Sequence, residues 1–147
     1  MVTNLKKFCM SAIISVLVLS GGFASAQASI LKATVDLSEQ RMRVFIDGKR
    51  RFTWRVSTGK AGWRTKAGSY TPFSLRKKYY STKWRMSLPY LVSISQDGTA
   101  IHGTYLASKL GRTASHGCIR LSIANAAKFY SLIEQHGMWS TEVLVKP

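Results

Sequence analysis

Three short runs carry the residues best suited to chemistry: Ile101-His102-Gly103-Thr104, then Leu110-Gly111-Arg112, then Ser115-His116-Gly117-Cys118-Ile119-Arg120-Leu121. They gather two of the chain's three histidines around Cys118, one of its two cysteines. A cysteine attacks as its thiolate, and a free thiol with a pKa of about 8.5 needs a nearby imidazole or cation to ionise at neutral pH. Both are present. If residues 115–121 are locally extended, His116, Cys118 and Arg120 project from one face, because side chains alternate along a strand, and the sulfur then lies in basic surroundings. Gly117 has no side chain, so a carbonyl can approach the backbone beside the nucleophile. The N–H groups of Gly117 and Cys118 are then placed to receive the oxyanion of a tetrahedral intermediate. The residues alone leave other readings open: a core cysteine flanked by hydrogen-bonded histidines, a chance cluster, or a metal site of His102, His116 and Cys118 with an open position. No HExxH or CxxC spacing accompanies the metal reading.

The N-terminus sets the compartment in which such a thiol would work. Lys6 and Lys7 precede a near-continuous apolar run over 8–19, and Ala24-Ser25-Ala26 follows as a small-x-small cleavage pattern. These are the parts of a secretory signal peptide over 1–26, with the mature chain starting at Gln27. The apolar run is shorter than the roughly 20 residues of a membrane span, although an uncleaved anchor is the alternative. Cys9 lies inside that run and leaves with it, so Cys118 is the one cysteine of residues 27–147. An unpaired cysteine in an oxidising compartment is an inert buried thiol, an intermolecular link or a reactive group.

The leader holds two lysines and no acid, so its removal lowers the net charge from +16 to +14. A field of that size steers the protein toward polyanions, which outside the cytoplasm means wall carboxylates, anionic head groups and other envelope polymers. Export argues against nucleic acid, the other usual partner of a basic surface.

The elements that must position these residues are mostly strands. Period-two, β-branched and aromatic patterning predicts strands over 35–37 and 42–46, and Asp47-Gly48 between two such runs predicts a type I′ hairpin turn. The return strand runs over 49–57, with Phe52, Trp54 and Val56 on one face and Arg51, Thr53 and Arg55 on the other. The glycines and cations of 58–68 read as a loop, and extended chain resumes over 69–75 around Pro72. Residues 76–85, basic and aromatic without a period, read as a flap over a cleft or as a solvated loop. Further short strands are predicted over 88–94, 100–101 and 142–145. One helix follows Leu121, with Ser122 as its N-cap, Gly137 as its stop, and Ile123, Ala126, Ala127, Tyr130 and Ile133 on its apolar face. There is no internal repeat and no second domain. The fold class is therefore mainly β, with one helix near the C-terminus.

At the residues that carry the chemistry the chain closely resembles the L,D-transpeptidase catalytic domain, or YkuD domain, whose HGT, LGR and SHGC[IV]R[LM] elements all have counterparts here. Weaker similarity extends from the first hairpin through Gly68-Ser69-Tyr70-Thr71, Leu88-Pro89-Tyr90 and the helix. The resemblance implies a β-sandwich-like fold over residues 27–147 and acyl transfer on peptidoglycan stem peptides in the periplasm or cell envelope, by a monomer that needs no cofactor or metal. By that similarity Cys118 attacks the diaminopimelate carbonyl of a tetrapeptide stem, expels D-alanine and forms a thioester. Another stem's diaminopimelate amine, a lysine of an envelope protein, or water then resolves it. His102 matches the general base, and with Gly103 next in sequence the ring's orienting partner is expected to be a backbone carbonyl. His116 shapes the nucleophile and oxyanion region, Arg120 grips a substrate carboxylate, and Ser115 lends hydrogen-bonding support. The same residues with water as acceptor give an L,D-carboxypeptidase, and an inactive relative would be a basic envelope-binding domain. Two positions depart from the family pattern: Thr65-Lys66-Ala67-Gly68 lacks the proline of Thr-Pro-x-Gly, and Asn125 stands where an acid often follows the motif. His136, near the helix end, matches no motif and reads as a surface residue favoured by the helix dipole.

Overall fold

The computed structural model describes residues 30–147; the leader expected over 1–26 lies outside the described residues. Strand β1 (Leu31–Asp36) turns into β2 (Arg41–Ile46), which the Asp47-Gly48 turn joins to β3 (Lys49–Arg55). Both turn residues have positive φ, 50° and 74°, the conformation a type I′ turn requires. β1 starts earlier than its pattern suggested, at Leu31, because Leu31, Ala33 and Val35 all face the core. It also stops earlier. Asp36 Oδ1 accepts from the N–H groups of Ser38 and Glu39 and bends the chain before Leu37 can continue the strand. β3 ends at Arg55 rather than Ser57, since Val56 turns into the core and Ser57 crosses to pair with Arg120.

The extended segment expected over 69–75 is two strands, β4 (Gly68–Tyr70) and β5 (Ser74–Arg76), and they belong to different sheets. Pro72, buried between them, lacks an N–H to continue a ladder. The basic segment after β5 folds into a small hairpin, β6 (Tyr80–Ser81) and β7 (Met86–Ser87). Then come β8 (Leu91–Ser93), shorter than the stretch expected over 88–94 because Tyr90 before it takes a positive φ, and β9 (Ala100–Thr104). A 3-10 turn (Ala107–Lys109), β10 (Ile119–Ser122), helix α1 (Ile123–His136) and β11 (Thr141–Lys146) complete the described chain.

The larger sheet has the order β3-β2-β1-β11-β4, and the second β10-β9-β8-β5. One apolar core serves both, with Leu31, Val35, Met42, Val44, Ile101, Ile119, Leu121 and Val143 within it. Ser122 Oγ caps α1 by accepting from the Asn125 N–H, and Gly137, φ 90°, ends it. The buried face of α1 is Ala126, Phe129, Tyr130, Leu132 and Ile133. Ile123 and Ala127 are only half-buried, so the face is rotated from the expected one toward Phe129 and Leu132. At Gly103 the helix start meets β9 closely: a Cβ there would stand 3.2 Å from Ile123 Cα and from Pro89 Cγ.

Candidate active site

The site is built on the junction of β9 and β10. These strands run parallel, with Ile101 beside Ile119 and Arg120 beside His102. Because side chains alternate, the isoleucines enter the core while His102 and Arg120 share the opposite face. Both are buried, at 3% and 7% exposure. Cys118 is half-buried just before β10.

The expectation that residues 115–121 are extended holds only from Ile119. Before it the chain makes a tight loop in which Gly117 has φ 111°, a conformation that penalises any side chain. His116, Cys118 and Arg120 therefore do not share a strand face. The fully buried Ser115 fastens this loop: its hydroxyl donates to the Cys118 carbonyl at 2.5 Å and accepts from the Gly117 N–H at 3.2 Å. Thr65 donates its hydroxyl to the Gly117 carbonyl at 2.8 Å, a contact the sequence reading did not anticipate because 52 residues separate the pair.

His102 Nδ1 lies 2.7 Å from the Gly103 carbonyl. A carbonyl only accepts, so the neutral ring carries its proton on Nδ1 and leaves Nε2 with a free lone pair. Burial, opposed by that hydrogen bond and reinforced by Arg120, lowers the His102 pKa to about 4. The ring is thus a neutral acceptor at pH 7. Cys118 Sγ is 3.7 Å from the Gly98 carbonyl, to which its thiol donates. The sequence suggested that surrounding cations ionise this thiol. Instead, burial pushes its pKa above the ordinary value, outweighing the backbone hydrogen bond at Ala100 and the pull of Arg120. The pair at neutral pH is thiol and imidazole.

Arg120 donates from Nη1 to the Ala114 carbonyl at 3.3 Å, while its buried Nε has no hydrogen-bond partner among the described residues. An unpaired donor on a buried cation is costly unless a ligand completes it.

His116 is exposed, and its ring lies parallel to that of Trp84, with centroids 4.3 Å apart. Trp63 meets both edge-on. Loss of water around the ring, then Lys60 and Arg120, hold the His116 imidazolium pKa below its usual value. The trio weighed as a metal site is not assembled: among the described residues no group of three His, Cys, Asp or Glu side chains is arranged to hold an ion.

The Trp84–His116 stack divides two cavities. One, of about 470 Å³, is lined by Lys60, Lys109, Thr113 and Arg120. The other, of about 460 Å³, is lined by Trp63, Lys66, Asp97, Gly98 and Cys118. A pocket of about 20 Å³ between them touches His102, Ser115, Cys118 and Arg120. The hairpin β6–β7 carries Trp84 over this junction, so the segment over 76–85 covers the cleft.

The L,D-transpeptidase catalytic domain, YkuD, matches residues 32–144. Among solved structures, an L,D-transpeptidase from Mycobacterium smegmatis superposes with a TM-score of 0.74 at 20% identity, over 81% of this chain and 59% of that one. One from Mycobacterium tuberculosis gives 0.71 at 27% identity, over 81% and 58%. One from Stackebrandtia nassauensis gives 0.69 at 28% identity, over 87% and 62%. The chain thus spans about three fifths of the length of these proteins. No curated protein matches its sequence.

Proposed function

The chain belongs to the L,D-transpeptidase catalytic domain family, and on that premise we propose that it is an exported cysteine acyltransferase acting on peptidoglycan stem peptides. The observation that carries this reading is the shared pocket of Cys118, His102 and Arg120, in which a neutral base, a protonated thiol and an unsatisfied cation meet.

The donor is a tetrapeptide stem. Its diaminopimelate carbonyl is attacked by Cys118 as His102 Nε2 takes the thiol proton, so charge separates only in the transition state. The C–S bond forms, His102 returns the proton to the leaving nitrogen, and D-alanine departs. The developing oxyanion is received by the Cys118 N–H, joined by the Gly117 N–H when it leaves Ser115 Oγ. Arg120 offers its free Nε to a donor carboxylate, a charge-assisted contact. His116 holds the loop beside the nucleophile through its stack on Trp84. In the second half an amine, from another stem or from an envelope-protein lysine, attacks the thioester. Residues 27–147 form the catalytic domain, the leader over 1–26 delivers it to the periplasm or cell envelope, and it works as a monomer.

The test is mass spectrometry of the protein incubated with disaccharide tetrapeptide, beside Cys118→Ala. An adduct on Cys118 with release of D-alanine, then a dimeric muropeptide, is expected. Resolution to tripeptide alone would make the enzyme a hydrolase, and an adduct in Cys118→Ala would remove Cys118 as the nucleophile.

A further inference from the structure

The two cavities that share the Trp84–His116 stack differ in charge. Lys60, Lys109 and Arg120 line the first, with no acid among them. The second contains Asp97, the one acidic residue among the described residues that line either cavity, together with Arg64, Lys66 and Lys83. Asp97 Oδ1 accepts from the Thr99 N–H and hydroxyl, at 3.1 and 2.8 Å, while Oδ2 faces Lys66 Nζ at 3.0 Å. The pair is exposed, with 39% of the Asp97 side chain and 74% of the Lys66 side chain open to solvent. Asp97 is also close to the chemistry, because the carbonyl of the next residue, Gly98, is the group that Cys118 Sγ touches.

A solvated Asp–Lys pair contributes little to stability, and this one can open at small cost. Opened, it offers one anion and one cation side by side, a match for an ammonium and a carboxylate on the same carbon. Two such groups pass through the reaction proposed above. D-alanine leaves as an α-amino acid, and the diaminopimelate D-centre that attacks the thioester carries its carboxylate beside the amine. Departure of one amine and entry of the other are the same step run in opposite directions. The return of D-alanine would retrace its departure, so an acceptor of the same α-amino-acid form fits the site that D-alanine vacates.

We propose that the cavity of Asp97 and Lys66 is this subsite, selecting amine acceptors that bear a carboxylate on the amine-bearing carbon over plain alkylamines such as a protein lysine. The inference rests on the transferase reading. Asp97 receives the ammonium, and Lys66, with Arg64 and Lys83 nearby, receives the carboxylate. The amine gives one proton to solvent to become neutral, then attacks. Its N–C bond forms as the thioester C–S bond breaks, its second proton passes to His102, and His102 returns it to the Cys118 sulfur. Asp97 is held ionised, well below the usual carboxylate range, by the Thr99 hydroxyl first and by Lys66, so it acts as a positioning charge and not as the base.

Two probes test this: a tripeptide stem with a free diaminopimelate D-centre, and the same stem with that carboxylate amidated. Binding to the full chain is read by quenching of tryptophan fluorescence, since Trp63 and Trp84 line the cavity. The free stem should bind about tenfold more tightly, the value of a charge-assisted contact. Asp97→Asn, which keeps an oxygen for Thr99 and loses the charge, should weaken both probes by a similar factor. Lys66→Met should remove the preference, bringing the two probes together. A purely structural role would move both variants the same way for both probes.

Equal binding of the probes to the unaltered protein, or unchanged binding by Asp97→Asn, would overturn the assignment. So would a defect of Asp97→Asn confined to acylation by the tetrapeptide donor. Normal probe selectivity without any thioester on Cys118 would instead overturn the transferase reading and leave the amino-acid subsite standing.

Discussion

The rings of Trp84 and His116 lie 4.3 Å apart with their planes inclined by 13°, and this stack lines both cavities, of which the one holding Asp97 reaches Cys118. Lys83 Nζ approaches the Trp84 ring at 5.1 Å, and Trp63 meets its edge at 5.5 Å. An aromatic pair of this kind is worth about 0.5–1.5 kcal/mol beyond its buried area. The wall is therefore firm enough to order a short hairpin, yet light enough to open for substrate.

Truncating that wall should change what resolves the thioester. In Trp84→Ala the cavities merge over the nucleophile and water gains access. The ratio of dimeric muropeptide to tripeptide product should fall several-fold, while Trp84→Phe keeps most of it. Product chromatography measures the ratio, and an unchanged ratio in the alanine variant would show that the stack does not exclude water. The stack also provides its own reporter. Protonation of His116 quenches the indole against it, so fluorescence should titrate with a midpoint below the ordinary histidine value, the direction in which lost hydration, Lys60 and Arg120 move that ring.

The pH profile of acylation separates a neutral thiol–imidazole pair from a preformed ion pair. His102 must be unprotonated to act, and its pKa is lowered from 6.5 to about 4. The acid limb of kcat/KM should therefore fall near pH 4, and iodoacetamide alkylation of Cys118 should keep rising beyond the usual thiol range, since burial raises that pKa. An alkylation plateau at pH 5–6 would indicate a thiolate instead. The same shift links to stability. Unfolded His102 takes up a proton near 6.5, while the folded ring resists to about 4, so stability is full above that window and declines as pH falls through it. The loss amounts to about 3 kcal/mol across the window, and urea unfolding of His102→Gln should lack that component.

Much of this architecture was legible because local chemistry dictated it. Asp47-Gly48 tolerates positive φ at two successive positions, Ser122 offers an oxygen to a helix N-terminus, and Gly137 accepts the conformation that ends one. Each fell where its residue type placed it. What escaped the sequence depends on contacts across the chain. Trp63, Trp84 and Asp97 reach the site from three separate loops, and no spacing relates them to His116 or Cys118. The strand face expected for His116, Cys118 and Arg120 fails because the chain bends at Gly117, φ 111°, and becomes a strand only from Ile119. The protonation of Cys118 is hidden from the sequence for a related reason: nearby cations can be counted in a sequence, whereas burial, the larger effect here, arises only on folding.

Gly103 couples the stability of the fold to the orientation of the base. Its N–H donates to the Pro89 carbonyl at 2.8 Å, its own carbonyl accepts from His102 Nδ1, and Ile123 at the helix start lies against it. Gly103→Ala places a methyl group 3.2 Å from both Ile123 Cα and Pro89 Cγ, and 3.3 Å from the Pro89 oxygen. Overpacking of this kind costs about 1–3 kcal/mol, readable by chemical unfolding. Because relief requires β9 to shift, acylation should slow by more than tenfold at temperatures where the variant is fully folded. Normal acylation by a destabilised Gly103→Ala would mean that His102 is oriented by something other than its neighbour's carbonyl.

Asp36 is the corresponding fastening of the larger sheet, remote from the chemistry. The residue is 4% exposed. One oxygen accepts from the Ser38 N–H, the Ser38 hydroxyl and the Glu39 N–H, at 3.1, 2.7 and 3.0 Å. The other faces Lys146 Nζ at 3.1 Å, tying the β1–β2 turn to the end of β11. The Ser38 hydroxyl foremost, with further help from the Glu39 N–H and Lys146, lowers its pKa from 3.8 to about 2 against the opposing effect of burial. A depressed carboxyl pKa adds stability that is complete above the unfolded value and disappears as pH falls from about 3.8 through about 2. Asp36→Ala, which deletes both the turn bonds and the ion pair, should lose about 2–3 kcal/mol at pH 7. Asp36→Asn keeps one acceptor oxygen and should lose about 1–2 kcal/mol, a figure discounted for solvent screening of the lysine. The gap between Asp36→Asn and the unaltered protein should close as unfolding is repeated from pH 5 down to pH 2. A gap that stays constant across that range would mean that the Asp36 charge adds nothing, and that the turn is held by the geometry of its hydrogen bonds alone.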